Sequence, residues 1–372
     1  MGRKKILHVA SISFSLKYFV GNQFSYFKKR GYDYTVVCSD SEDLRNYSNL
    51  MKFSIFPLPI IRAINPIQDL KSIYHLYKYI KAEKFDIIIA HSPKGGLIGM
   101  TAAFFAKTPR RIFFRHGLVF ETTKGFTKYL LIYIEKIIAF FAQRIVCVSP
   151  SILKQSQLYN LNSGNKNIIL NKGTCNGIDI NRFKAKKNSF IENKKEEKIV
   201  IGFVGRLSRD KGIIELIEGW RIILKNNKNI ELLLVGPFDE RDLLPEIIVN
   251  EIRNTDTIVQ VGYIDDTSSV YNDIDIFILP SYREGFPTVV LEASATAIPV
   301  ITTRATGCID SIIENQTGIY TNINSIDIAR AIQFYIDNPR IRIEHGQNGR
   351  FFVESNFTED VIYNEIEKLL LS

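Results

Sequence analysis

The chain is poor in the residues that build covalent or metal-held frameworks. Its four cysteines, at 38, 147, 175 and 308 in 372 residues, show no paired short spacing, which argues against a disulfide scaffold or a cysteine-built metal site and fits a reducing cytoplasm. No histidine or cysteine cluster has ligand spacing, and no Gly-x-x-x-x-Gly-Lys-Ser/Thr loop is present for ATP chemistry. A run of about 18 uncharged apolar residues is also missing. The closest stretch, Phe126 to Val148, is broken by Lys128, Glu135, Lys136 and Arg144, so no segment is expected to span a membrane. The start Met1-Gly-Arg-Lys-Lys followed by apolar residues imitates a secretion signal. His8 and Lys17 interrupt it and no small-residue cleavage site follows, so it reads as a first strand. Ile6 stands where a myristoylation pattern needs Ser or Thr. Neither a solenoid-length repeat nor a low-complexity tract occurs, which excludes a repeat array.

What remains is an ordinary globular composition, 45% hydrophobic and 23% charged, on a chain too long for one core of usual size. Two domains follow. The formal charge of +9 would attract nucleic acid, anionic lipid or phosphorylated substrates alike. Short β-branched runs at Lys5–Ala10, Tyr34–Cys38, Asp86–Ala90, Arg111–Arg115 and Arg144–Val148 alternate with segments of helical period such as Asp69–Lys84, the pattern of an α/β unit with a parallel sheet. From Lys184 to Lys198 the composition turns to Lys, Asn and Glu, as in a solvated linker. A second series follows at Ile199–Val204, Ile230–Val235, Ile258–Val261, Ile274–Leu279 and Pro299–Thr302. The expected organisation is a domain over residues 1–190, a second over 191–355, and an amphipathic helix over 356–372 with Val361, Ile362, Ile366, Leu369 and Leu370 on its apolar side.

Two segments of the second domain carry chemistry. In Ser281-Tyr-Arg-Glu-Gly-Phe-Pro-Thr-Val-Val-Leu-Glu292, Gly285 and Pro287 delay the helix, so Glu284 lies in a loop and Glu292 one turn inside. The free N–H groups of that first turn can receive phosphate beyond the carboxyl ends of the strands. Carboxylates flanking a phosphate are repelled by it, and their work is to accept hydrogen bonds from sugar or ribose hydroxyls. An acidic residue that merely favours a helix dipole is the plain alternative. In Gly202-Phe-Val-Gly-Arg-Leu-Ser-Arg-Asp-Lys-Gly212, Arg206 and Lys211 follow a strand end. There they would neutralise a diphosphate leaving group, or form an ordinary basic loop. Asp273-Ile-Asp275 spells an Asp-x-Asp, but it opens a strand at the end remote from this site, and no metal is expected.

Gly205-Arg206, Lys211-Gly212 and the Glu284–Glu292 cassette, with seven residues between its glutamates, together resemble the retaining glycosyltransferases of family 4, which have the GT-B fold: two Rossmann-like α/β domains facing across a cleft. Asn176-Gly-Ile-Asp179 and Gly307–Gly318 extend the resemblance over most of the chain. It implies that Arg206 and Lys211 bind the donor diphosphate, Glu284 contacts the transferred sugar, Glu292 holds the ribose, and Gly285, Phe286, Pro287 and Thr288 complete the grip. His116 matches the family's active-site histidine. Gly21 matches a glycine of the loop that contacts phosphate, although one glycine stands where many relatives have two.

His91-Ser-Pro-Lys-Gly-Gly96 and Arg115-His-Gly-Leu-Val-Phe-Glu121 resemble the subset that builds capsular and other surface glycans on polyprenyl-diphosphate carriers. That implies Lys94 and Arg115 as acceptor-binding residues and a UDP-sugar donor, with no cofactor and no nucleic acid. It also implies a cytoplasmic enzyme able to sit on the inner face of the membrane, its helix terminus returning to the first domain. Lys71, Lys78, Lys81, Lys84 and Lys94 near Tyr74, Tyr77 and Tyr79 would meet a lipid diphosphate or anionic lipid, or form a solvated helix face. Phe126–Phe141 is apolar on more than one face, and burial is the reading adopted over a lipid interface. A GT-B nucleotide-sugar 2-epimerase and a catalytically silent binding protein are the alternatives.

Overall fold

The computed structural model describes residues 4–61, 65–184 and 198–371. The Met1-Gly2 start, most of the Lys/Asn/Glu-rich stretch and the expected boundary at 190/191 lie outside them. The chain forms two compact units, Met1–Gly177 with Glu359–Ser372, and Ile178–Thr358. The first change of unit falls at Ile178 because Ile178 and Phe183 already pack in the second core.

In the first unit, β1 (Lys4–Val9), β2 (Tyr32–Cys38), β3 (Ser54–Pro57), β4 (Ile87–His91), β5 (Arg110–Arg115), β6 (Arg144–Cys147) and β7 (Asn167–Ile168) form one sheet. Its order is β3-β2-β1-β4-β5-β6-β7, and every pairing is parallel. β4 is buried at every position, as a parallel strand covered by helices on both faces requires. Helix Ser92–Phe105 lies close on this sheet: a Cβ on Gly95 would stand 2.9 Å from the Val9 carbonyl oxygen, and one on Gly96 2.6 Å from the Phe113 ring. Helix Glu359–Leu371 belongs to this unit. Its Tyr363 ring meets Tyr26 at 4.8 Å, and its Glu359 accepts a 2.9 Å hydrogen bond from Asn22.

The second unit repeats the plan with β8 (Ile199–Val204), β9 (Ile230–Val235), β10 (Ile258–Gly262), β11 (Ile276–Leu279), β12 (Val300–Thr303) and β13 (Gly318–Thr321). The order is β10-β9-β8-β11-β12-β13, again all parallel. Both orders reverse direction at one place, between β1 and β4 and between β8 and β11. Ligands of open parallel sheets bind beyond the carboxyl ends of the strands at such a switch point.

Candidate functional site

At the switch point of the second unit, β8 runs into Gly205-Arg206 and β11 into Pro280-Ser281. The cassette is assembled there by short contacts. Glu284 N–H donates to the Thr306 carbonyl at 2.8 Å. Gly307 has φ +80, and a Cβ on it would stand 2.6 Å from the carbonyl oxygens of both Glu284 and Gly285. Only glycine serves at that position. The Glu284 carboxylate pairs with Lys211 and accepts a 2.7 Å bond from the Ser281 hydroxyl, with its side chain 14% exposed. Thr288–Ala295 is the helix, with Pro287 just before it and no side-chain cap on its first turn. Phe286 and Val289 pack on the core behind it.

Glu292, inside that helix, accepts a 2.7 Å hydrogen bond from Tyr271. Burial pushes its carboxyl above the usual range, while the Tyr271 hydroxyl and the nearby Arg182 pull it back. Arg206 pairs with Asp239, an acid just beyond β9, and Arg283 pairs with Asp210 at 2.6 Å. Each expected phosphate-binding cation is therefore held by a carboxylate, and an incoming diphosphate would compete with Asp239 for Arg206 and with Glu284 for Lys211. Sequence reasoning missed Asp239, Ser281 and Tyr271. Asp239 and Ser281 follow strand ends and were open to inference on that ground; Tyr271 had no local signal. Asp275 of the Asp-x-Asp accepts from Val200 N–H at 3.0 Å, a structural bond. Among the described residues no group of three or more His, Cys, Asp or Glu is placed to hold a metal, and all four cysteines are free and buried.

In the first unit, three neighbouring strand ends bring three histidines into a row. His8 Nδ1 shares a 3.0 Å hydrogen bond with His91 Nε2, and His91 Nδ1 shares a 2.9 Å one with His116 Nε2. The Phe19 ring stacks on His116 at 3.6 Å. Burial drives all three imidazoles below their usual pKa, His91 to about 3, and His91 lowers its two neighbours further. Each ring is then neutral with one N–H. The two bonds must therefore point the same way along the row, so the tautomers of the three rings change together. His8 and His91 were not foreseen as His116's partners, because only the order β1-β4-β5 places them there.

Three expectations for this unit change. Arg115 does not face a ligand: it is fully buried, donating at 2.9 Å to Glu135, 2.8 Å to Ser156 and 3.2 Å to Asn162. Arg115 and His116 are consecutive, and consecutive residues along a strand point to opposite sides. Gly21 has φ +51, and a Cβ on it would lie 2.2 Å from the Asn176 amide; Tyr47 donates to its carbonyl at 2.6 Å. Close approach to Asn176 accounts for this glycine without a phosphate. Phe126–Phe141 is buried along one side only, since Phe126, Tyr129, Tyr133 and Phe140 are 63–81% exposed. Lys94 pairs with Asp69 at 2.5 Å.

Arg115→Met is expected to destabilise the protein by about 3–5 kcal/mol, because it strands the buried Glu135 carboxylate. Urea unfolding measures this, and adding Glu135→Leu is expected to recover most of the loss. Unchanged stability in the single variant would return Arg115 to a ligand-facing role.

Two parallel Rossmann-like sheets, each with a polar cluster at its switch point, are the architecture of GT-B glycosyltransferases. The family described as Glycosyltransferase Family 4 matches residues 19–182, and Glycosyl transferases group 1 matches residues 184–352. The capsular polysaccharide biosynthesis glycosyltransferase CapM of Staphylococcus aureus is 34% identical over 99% of this chain and 97% of its own. A UDP-Gal:alpha-D-GlcNAc-diphosphoundecaprenol alpha-1,3-galactosyltransferase of Escherichia coli is 27% identical over 82% of this chain and 80% of its own. Anabaena HepE, solved in complex with UDP and glucose, shares the fold with a TM-score of 0.81 at 17% identity over 100% of both chains. The chain belongs to glycosyltransferase family 4, and it is a sugar-transferring enzyme.

Proposed function

We propose that the protein transfers a hexose or N-acetylhexosamine, with retention at the anomeric carbon, from a UDP-sugar to a polyprenyl-diphosphate-linked sugar in the synthesis of a surface polysaccharide. The acceptor class rests on the diphosphoundecaprenol named for the Escherichia coli relative and on the capsular role named for CapM. The observation that carries the reading is the cluster of Lys211, Glu284 and Ser281 at the β8/β11 switch point, with Glu292 in the helix that follows. Lys211 and Arg206 offset the charge that grows on the departing diphosphate. Glu284 accepts hydrogen bonds from the transferred sugar and Glu292 from the ribose. His116 contacts the sugar or the reacting hydroxyl.

The sugar–phosphate bond breaks as the acceptor oxygen bonds to the anomeric carbon on the same face. The acceptor proton passes to the departing phosphate, so no side-chain nucleophile and no metal are assigned. Work on such a carrier would hold the enzyme at the cytoplasmic face of the membrane; among the described residues no helix is long and apolar enough to cross one.

A donor screen tests this. UDP-, GDP- and dTDP-sugars are offered with a synthetic polyprenyl-diphosphate N-acetylglucosamine, and acceptor-dependent release of nucleoside diphosphate is expected from a UDP-sugar. Release from none of them would sink the proposal.

A further inference from the structure

The first unit contains an apolar groove of about 470 Å³, a size suited to a drug-sized ligand. Helix Pro66–Glu83 forms one wall with Leu70 and Ile73, helix Ser92–Phe105 the floor with Leu97, and helix Gly125–Phe141 the other wall with Leu130, Ile134 and Ile137. The charged side chains of its lining, Asp69 and Lys94, are spent on each other in a 2.5 Å ion pair. A peptide would bring backbone N–H and C=O groups that need partners, and this lining offers little beyond that occupied pair and Thr101. A hydrocarbon chain asks for none.

The location narrows the occupant further. Lys94 lies three residues beyond His91, in the first turn of the floor helix. From Lys94 to Thr101 the groove follows that helix for about 10 Å at 1.5 Å per residue. It thus begins where the floor helix starts, at the carboxyl ends of the strands, and leads away from them along the helix. Its outer rim is amphipathic. Phe126, Tyr129, Tyr133 and Phe140 on one helix and Ile67, Leu70 and Tyr74 on the other are exposed, interspersed with the exposed Lys71, Lys78 and Lys136. Aromatic rings among lysines suit the interface of an anionic lipid layer.

We propose that this groove binds the isoprenoid chain of the lipid-linked acceptor, with its phosphate-bearing end emerging at the start of the floor helix, where it would compete with Asp69 for Lys94. The proposal rests on the acceptor class given above, but its test does not require transfer.

The full-length protein is mixed with phosphatidylcholine/phosphatidylglycerol vesicles carrying a diazirine-labelled polyprenyl phosphate without sugar, irradiated, and its cross-linked peptides are mapped. Labels are expected on helices Pro66–Glu83 and Gly125–Phe141. Excess unlabelled polyprenyl phosphate should displace them, excess phosphatidic acid should not, and Ile137→Asp should reduce them at least ten-fold. Should Ile137→Asp lose its fold by circular dichroism, the rim change Leu70→Asp takes its place. Labels elsewhere, equal displacement by phosphatidic acid, or labelling untouched by the variant would overturn the proposal. So would a dimer in sedimentation that the same variant dissolves, since the groove would then be an interface between copies. Transfer without groove labelling defeats only this inference. Groove labelling without transfer from any donor defeats only the proposed function.

Discussion

Glu284→Gln is expected to lower kcat for sugar transfer by about 10²–10³, the usual cost of removing one group that stabilises the transition state, while the Kd of free UDP stays within a few-fold. The geometry explains the split. Glu284 takes hydrogen bonds from Ser281 and Lys211, so the isosteric amide keeps the loop in place but gives up the negative charge that, in the proposed role, would accept from sugar hydroxyls. Lys211 loses its carboxylate partner and becomes freer for the diphosphate, so UDP affinity does not fall. Arg206→Ala is expected to behave differently. Its guanidinium is 55% exposed beside Asp239, placed to meet phosphate. A hydrogen bond to a charged group contributes about 1.5–3 kcal/mol, so losing it should weaken UDP binding and kcat/KM together by about ten-fold or more. Titration calorimetry with UDP and steady-state kinetics on the same preparations decide the matter. Equal effects of the two changes on binding and turnover would contradict the roles assigned.

The second large effect concerns the histidine row. His116→Ala should cost about 10²–10³ in kcat, the range for removing one group that stabilises the transition state by contact. The acid side of the pH profile is more specific. Burial and His91 together depress the His116 pKa, so His116 stays neutral as the pH falls through about 6.5, the ordinary imidazole value. The acid limb of kcat/KM should therefore lie below that value. His91→Leu removes the shared bond and the repulsion, and the limb should move upward with KM nearly unchanged; a merely structural role for His91 would not shift it. The same depression has a linkage consequence. The unfolded chain binds protons below about pH 6.5 that the folded rings refuse, so stability is full above that value and declines as the pH drops toward the folded pKa, about 3 for His91. Urea unfolding from pH 7 to pH 4 should show the decline, and it should be shallower in His91→Leu. An acid limb at the ordinary imidazole value in the unmodified enzyme would contradict the neutral row.

Much of the architecture was legible because continuous apolar runs such as Ile87-Ile-Ile-Ala90 and Ile199–Val204 have one use in a chain alternating with helical period. The strands not foreseen, β3, β7 and β13, are two to four residues long and are broken by Ser54 and Pro57, Asn167, and Gly318 and Thr321, so they lack the apolar run that marked β6 and β11. The cassette from Glu284 to Glu292 was legible as a unit because local backbone chemistry places its members. Arg115 was misread for the opposite reason: its partner Glu135 is twenty residues away and meets it only after β5 and helix Gly125–Phe141 pack. Alternation along the strand, which separates Arg115 from its neighbour His116, was the available signal. The exposed stripe Phe126–Phe140 eluded composition as well, since a helix apolar on several faces looks the same whether protein or lipid covers it.

The central claim is that a sugar moves from a nucleotide to a lipid-linked acceptor. Mass spectrometry of the polyprenyl-diphosphate N-acetylglucosamine after incubation with the UDP-sugar tests it directly, with proton NMR of the product reading the new linkage. The account predicts an acceptor heavier by one hexose or N-acetylhexosamine, joined in the anomeric configuration of the donor. An acceptor of unchanged mass, with the UDP-sugar intact or converted to its 2-epimer, would contradict it.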